Sequence, residues 1–149
     1  MGTFDAIRDG AVSESTVWGT ALLPRDQRQL IAVFSTLAPD QFAIGLETVY
    51  EAYLVHYGRP RLFAAQDEDD AVLLGDYLYA HGLVRIAEAG GVNAVRVMAD
   101  LISRCAALRA DGLPGDGAAW VDATRKLGGD PADDVIASAV ARHSARVAA

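Results

Sequence analysis

Cysteine is nearly absent from this 149-residue chain: Cys105 stands alone. A single thiol excludes an intramolecular disulfide and any zinc site built from several cysteines. Histidine is almost as scarce, and His56, His81 and His143 share no metal-ligand spacing. No apolar run reaches the roughly 18 residues needed to cross a bilayer. Nor does a basic N-terminal region lead into an apolar core, as in a secretory leader. Together these absences point to a cytoplasmic protein with no membrane span. Positive charge is also in deficit, with 13 basic against 20 acidic residues and a net charge of −7. A nucleic-acid binder presents a basic face to replace phosphate counterions. The arginines here are scattered, so nucleic acid is not expected as a partner.

Apolar residues are plentiful. At 52% hydrophobic and 22% charged, the chain buries a core and is not disordered. Its length suits one domain, read as 1–149 with residues 1–15 as a flexible start and Trp18 as the first anchor. Mean hydropathy is +0.17. That is high for a small domain with much surface to cover, and points to an apolar face covered by a partner or by a second copy.

No stretch alternates apolar and polar for long enough to argue a sheet. The periodicity predicts an all-α bundle of about six to eight helices. Pro24 opens one over Arg25–Ala38, with Leu30, Ile31, Val33, Phe34 and Leu37 at helical spacing. A second runs from about Gln41 to His56, before Gly58-Arg59-Pro60. Asp67-Glu68-Asp69-Asp70 opens a third, its acids matching the positive end of the helix dipole. Ala71–Ala89 is apolar nearly all round and reads as the central helix. Gly90-Gly91 stops it, and Val92–Arg109 follows. Ala118–Leu127 is short and carries Trp120; the last helix begins near Asp130-Pro131 and ends near Val147.

The most informative residues are Gly75 and Asp76, both poor formers in a helix interior, where Gly costs about 1 kcal/mol against Ala. Two readings stay open for Asp76: it faces solvent, or it is buried and hydrogen-bonded at a packing surface that Gly75 brings close. The second is the expectation.

Val72-Leu73-Leu74-Gly75-Asp76-Tyr77-Leu78-Tyr79-Ala80, preceded by Gly58-Arg59-Pro60, resembles the trans-type polyprenyl diphosphate synthases over about residues 41–109. The resemblance implies an all-helical, isoprenoid-synthase-type bundle. It also locates a departure. Members of that family hold Mg²⁺ and an allylic diphosphate on an aspartate-rich cluster, and none is present here. Anchoring on Gly58-Arg59-Pro60 puts Glu47, Thr48 and Glu51 in its place, with Glu47 and Glu51 four apart on one helical face. Anchoring on Leu54-Val55-His56 puts Tyr57-Gly58 there and leaves no carboxylate. A second acidic cluster has only Asp133-Asp134 to offer, which reads as a first helical turn.

The chain is therefore similar to the small, non-catalytic subunit of heterodimeric hexaprenyl or heptaprenyl diphosphate synthases. The implied partner is an aspartate-rich catalytic subunit that carries the Mg²⁺, with no cofactor in this chain and no catalytic residue of its own. Gly75, Asp76, Tyr77 and Tyr79 would be structural or interface residues. Tyr50, Tyr53 and Leu54 would line the product channel. Glu47, Glu51, Arg59 and Arg61 would be residual diphosphate or metal candidates. Two alternatives remain: a short prenyltransferase, alone or as a homodimer, using Glu47 and Glu51; and a helical interaction domain with no isoprenoid role.

Overall fold

The computed structural model describes residues 2–147. Six α-helices account for most of them: α1 (Thr3–Glu14), α2 (Thr16–Thr20), α3 (Ala43–Tyr57), α4 (Glu68–Ala110), α5 (Asp116–Lys126) and α6 (Asp133–Val147). Single 3₁₀ turns lie at Arg25–Gln27, Ser35–Leu37 and Asp40–Phe42. Among the described residues no strand forms; one isolated bridge joins Leu22 to Phe63. The all-α expectation holds. No helix is long and apolar enough to cross a membrane among the described residues.

The helix ends follow from their sequence. Ser15 accepts from the Val17 amide at the start of α2, 3.1 Å. Asp67 accepts from the Asp70 amide at the start of α4, 2.8 Å, with Glu68, Asp69 and Asp70 in its first turn. The Gly90-Gly91 stop is half realised. Gly91 alone leaves helical geometry, at φ 70° and ψ −161°, a left-handed φ that glycine adopts without strain. It divides α4 into two helical parts that meet at a kink. The first residues, read as flexible, form α1, which buries Ala6, Ile7 and Ala11.

Two expectations about the fold are corrected. The segment 25–38 is not a helix. After the turn at Arg25–Gln27 it follows an irregular path to Phe34, leaving Leu30 and Ile31 about half exposed and burying Val33, Phe34 and Leu37. The cause is tertiary. The amides of Val33 and Ser35 donate to the Glu47 carboxylate at 3.1 and 3.0 Å, the Ile31 carbonyl accepts from Arg61, and the Gln29 amide donates to the Arg61 carbonyl. A helix would have to give up all four bonds.

The central helix is also not Ala71–Ala89 but α3, whose residues from Gly45 to Leu54 are all buried. It separates two apolar clusters. One gathers Phe34, Tyr50, Tyr53, Met98, Cys105 and Trp120 toward α5, α6 and the second part of α4. The other gathers Ile7, Leu62, Phe63, Leu74 and Leu78 toward α1. The first part of α4 packs along α3 through Leu74, Gly75, Leu78, Gly82 and Ile86, and leaves Val72, Leu73 and Val84 exposed.

Candidate functional site

The centre of α3 carries two carboxylates in the protein interior. Glu47 and Glu51 are 0% exposed, and Arg61, 1% exposed, lies between them. The four-residue spacing expected from the sequence puts both on one face, and the Gly58-Arg59-Pro60 turn brings the chain back so that Arg61 meets that face. Arg61 Nη1 donates to Glu47 Oε1, and Arg61 Nε donates to Glu51 Oε1 at 3.0 Å. Glu51 Oε2 also accepts from the backbone amides of Arg61, Leu62 and Phe63, at 3.0, 2.8 and 3.3 Å. Glu47 Oε2 takes the Val33 and Ser35 amides. The guanidinium further donates to the carbonyls of Ile31 and Glu47 and lies 5.0 Å from the Tyr50 ring centroid. Every carboxylate oxygen therefore has a protein partner.

This arrangement is a clamp. Two buried charges of one sign need compensation, and a single forked guanidinium supplies it with matched geometry. Burial alone would push the Arg61 guanidinium down; Glu47 and Glu51 overcome that and hold it above its ordinary value. The clamp ties the segment 29–35 and the segment 61–63 to α3. Glu47, Glu51 and Arg61, candidates for metal or diphosphate, are thus brought together around one another, while Arg59 is exposed at the surface. At the other possible position of the acidic cluster, Tyr57 packs on Tyr53 and His56. No group of three or more metal-binding side chains occurs among the described residues.

The proposed channel residues lie in the same interior. Tyr50 and Tyr53 stack at 6.3 Å, and both meet Trp120 edge-on. Phe34 stacks on Trp120 at 5.1 Å. Leu54 is fully buried in the same cluster. These side chains fill the space between α3, α5 and α6.

Gly75 behaves as its sequence context suggests. It is buried against α3, and a Cβ there would lie 2.4 Å from His56 Nε2. Asp76 does not. Its side chain is 68% exposed and 3.6 Å from His56 Nε2. The expectation that Asp76 is buried is corrected: Gly75 occupies the inner face, so its neighbour turns outward, and solvent hydrates the carboxylate. Tyr77 anchors α1, donating to the Gly10 carbonyl at 3.0 Å and stacking on Trp18 at 5.8 Å. Tyr79 stacks on His56 at 5.3 Å, and burial pushes its hydroxyl pKa upward.

One polar network has no counterpart in the sequence reading. Asp116, the first residue of α5, accepts from Tyr53 Oη at 2.6 Å and from Arg109 Nη2 at 2.6 Å. Its Oδ2 also lies 3.0 Å from His143 Nε2, and His143 Nδ1 lies 2.8 Å from Tyr50 Oη. A carboxylate only accepts, so the Nε2 proton points at Asp116; in the neutral ring Nδ1 then accepts from Tyr50. Burial pushes the Asp116 carboxyl up, but hydrogen bonds from His143, Tyr53 and Arg109 outweigh it and hold the group well below the usual carboxylate range. Burial, with the Asp116 hydrogen bond, pushes the Tyr53 hydroxyl up. The network joins α3, the end of α4, the start of α5 and α6. A faint sequence signal exists: His143 is four residues past Ala139, on the buried face of α6. Cys105 is buried nearby, and burial pushes its thiol up to about 12, so it is an inert core residue.

Comparison with known proteins gave no match: no family model, no curated protein and no solved structure aligns significantly with this chain.

Proposed function

We propose that this chain is a non-catalytic small subunit that docks on an aspartate-rich polyprenyl diphosphate synthase and helps to set product length. One observation carries the non-catalytic half of this reading. Glu47 and Glu51, the carboxylates placed by the family resemblance nearest the Mg²⁺ ligands, are sealed from solvent and spent on Arg61 and five backbone amides. Mg²⁺ needs hard oxygen ligands with open positions for water and phosphate oxygens. In this role the metal and the chemistry belong to the partner, and this chain acts in the cytoplasm with no cofactor of its own.

The docking face that fits this role is the outer side of α4. Leu73, Ala80, Val84 and Ala87 follow one another at helical spacing, and Val72, Leu73 and Val84 are each more than half exposed. Asp76 sits among them. An apolar strip with a single carboxylate suits a helix–helix interface with a polar rim. The isoprenoid part rests on the resemblance over residues 41–109.

The test is association. The chain is co-expressed with an aspartate-rich prenyl synthase encoded in the same genome, and the mixture is resolved by size exclusion. Co-elution, lost in Leu73→Glu, supports the reading. If the two chains elute separately, the reading fails and a helical interaction domain without an isoprenoid role takes its place.

A further inference from the structure

The end of α6 and the turn after α3 hold each other by reciprocal bonds. The Arg59 amide donates to the Arg146 carbonyl at 2.9 Å, and Arg59 Nη2 donates to the Ala145 carbonyl. In return Arg146 Nη1 donates to the Arg59 carbonyl at 3.2 Å, and Arg146 Nη2 donates to Gln29 Oε1. Beside this clasp lies a groove of about 180 Å³, lined by Gln29, Ile31 and Val33 on the irregular segment before Phe34 and by Arg59, Arg142 and Arg146.

The clasp explains part of this arrangement. Cations at a helix C-terminus satisfy its last carbonyls and its dipole. It does not explain the accumulation of charge. Among the described residues no carboxylate lies within ion-pair distance of Arg59, Arg142 or Arg146, although the chain is acidic overall. Among the described residues, the negative charges behind the groove are the Glu47–Arg61–Glu51 clamp, with a net charge of −1, and the C-terminal end of α6, worth about half a charge. Three arginines set against these leave a surplus of about one and a half positive charges. Burial, and then the charges of Arg59 and Arg61, hold the Arg146 guanidinium below its ordinary pKa, as expected in a positive field. Among the described residues the Arg142 side chain makes no hydrogen bond, and it is exposed at the rim, one turn of α6 before Arg146.

We infer that Arg59, Arg142 and Arg146 form a binding site for a phosphate-type oxyanion, whether free phosphate or a phosphate group carried on a larger molecule. Two guanidinium groups are held in place by protein bonds and keep N–H donors to spare, and the third is free to close over the anion. Ile31 and Val33 offer apolar contact to whatever carries the phosphate. The site is independent of the proposed docking role, because it lies on α6, the turn after α3 and the Gln29–Val33 segment and uses no residue of the outer face of α4.

The test is calorimetric titration of the whole protein at constant ionic strength, with inorganic phosphate in one arm and phenyl phosphate in the other. Saturable binding is expected below about 10 mM. It should weaken about tenfold or more in Arg142→Ala, which loses only groove contacts. Arg125→Ala, on α5, should bind as the parent does. Tighter binding of phenyl phosphate identifies a carried phosphate; equal binding identifies the free ion; both uphold the site. Absence of saturation with either anion overturns it, as does an Arg142→Ala variant that melts like the parent and binds undiminished.

Discussion

Replacing Arg61 by Met tests the clamp on which the fold around α3 depends. The substitution keeps an unbranched apolar stem and removes the guanidinium with its charge. Lost with the guanidinium are its bonds to Glu47 Oε1 and Glu51 Oε1 and to the carbonyls of Ile31 and Glu47. Left behind are two carboxylates, both 0% exposed. Breaking a buried ion pair by removing one partner costs about 3–5 kcal/mol. A total stability of about 5–15 kcal/mol is typical, so this is a large share. With a urea m-value of about 2 kcal/mol/M, the midpoint should fall by about 1.5–2.5 M. The triple variant Glu47→Gln, Glu51→Gln, Arg61→Met should recover much of that loss, because a neutral interior leaves no charge uncompensated. Urea unfolding followed by circular dichroism gives both numbers. A midpoint shift below about 0.5 M in Arg61→Met, at unchanged m, would refute the assignment of the clamp as a main support of the fold.

Three further outcomes follow from the same geometry. Asp116 has a depressed folded-state pKa, so its contribution is present above the unfolded carboxylate value near 4 and is lost as pH falls through the lower folded value. Asp116→Asn should therefore cost about 2 kcal/mol at pH 7 and distinctly less near pH 2, where part of the contribution is already lost, measured by urea unfolding at both; an equal cost at both would contradict it. Gly75→Ala should cost about 1–2 kcal/mol through overlap with the His56 ring, and His56→Ala in the same chain should relieve most of it. Leu73→Glu, on the exposed face of α4, should leave the thermal midpoint nearly unchanged, within about 0.5 kcal/mol, so any loss of association belongs to the surface.

Much of the helical framework was legible because it is written locally. Asp67 to Asp70 mark a helix start, the Gly90-Gly91 pair marks a break that is realised at Gly91, and Gly75 marks a close approach to α3. What was not legible depends on partners far along the chain. Leu30, Ile31, Val33 and Phe34 have helical spacing, yet hydrogen bonds to Glu47 and Arg61 hold their segment in an irregular, non-helical path. For the same reason α3 is central despite Glu47, Thr48 and Glu51: their polar groups are satisfied inside, and a count of apolar residues treats them as a solvent face. Asp116 and His143 are 27 residues apart, and Tyr50 and His143 are 93 apart, so no motif spacing announces their contact.

The proposed role is non-catalytic, the two inner glutamates being spent on Arg61. It is tested most directly by Mg²⁺-dependent condensation of isopentenyl diphosphate with an allylic diphosphate, measured first on the purified chain and then after adding the aspartate-rich synthase from the same genome. The expected result is no product from the chain alone, and product of altered length or yield once the partner is present. Turnover by the chain alone, abolished by Glu47→Ala in a variant that still folds, would contradict it.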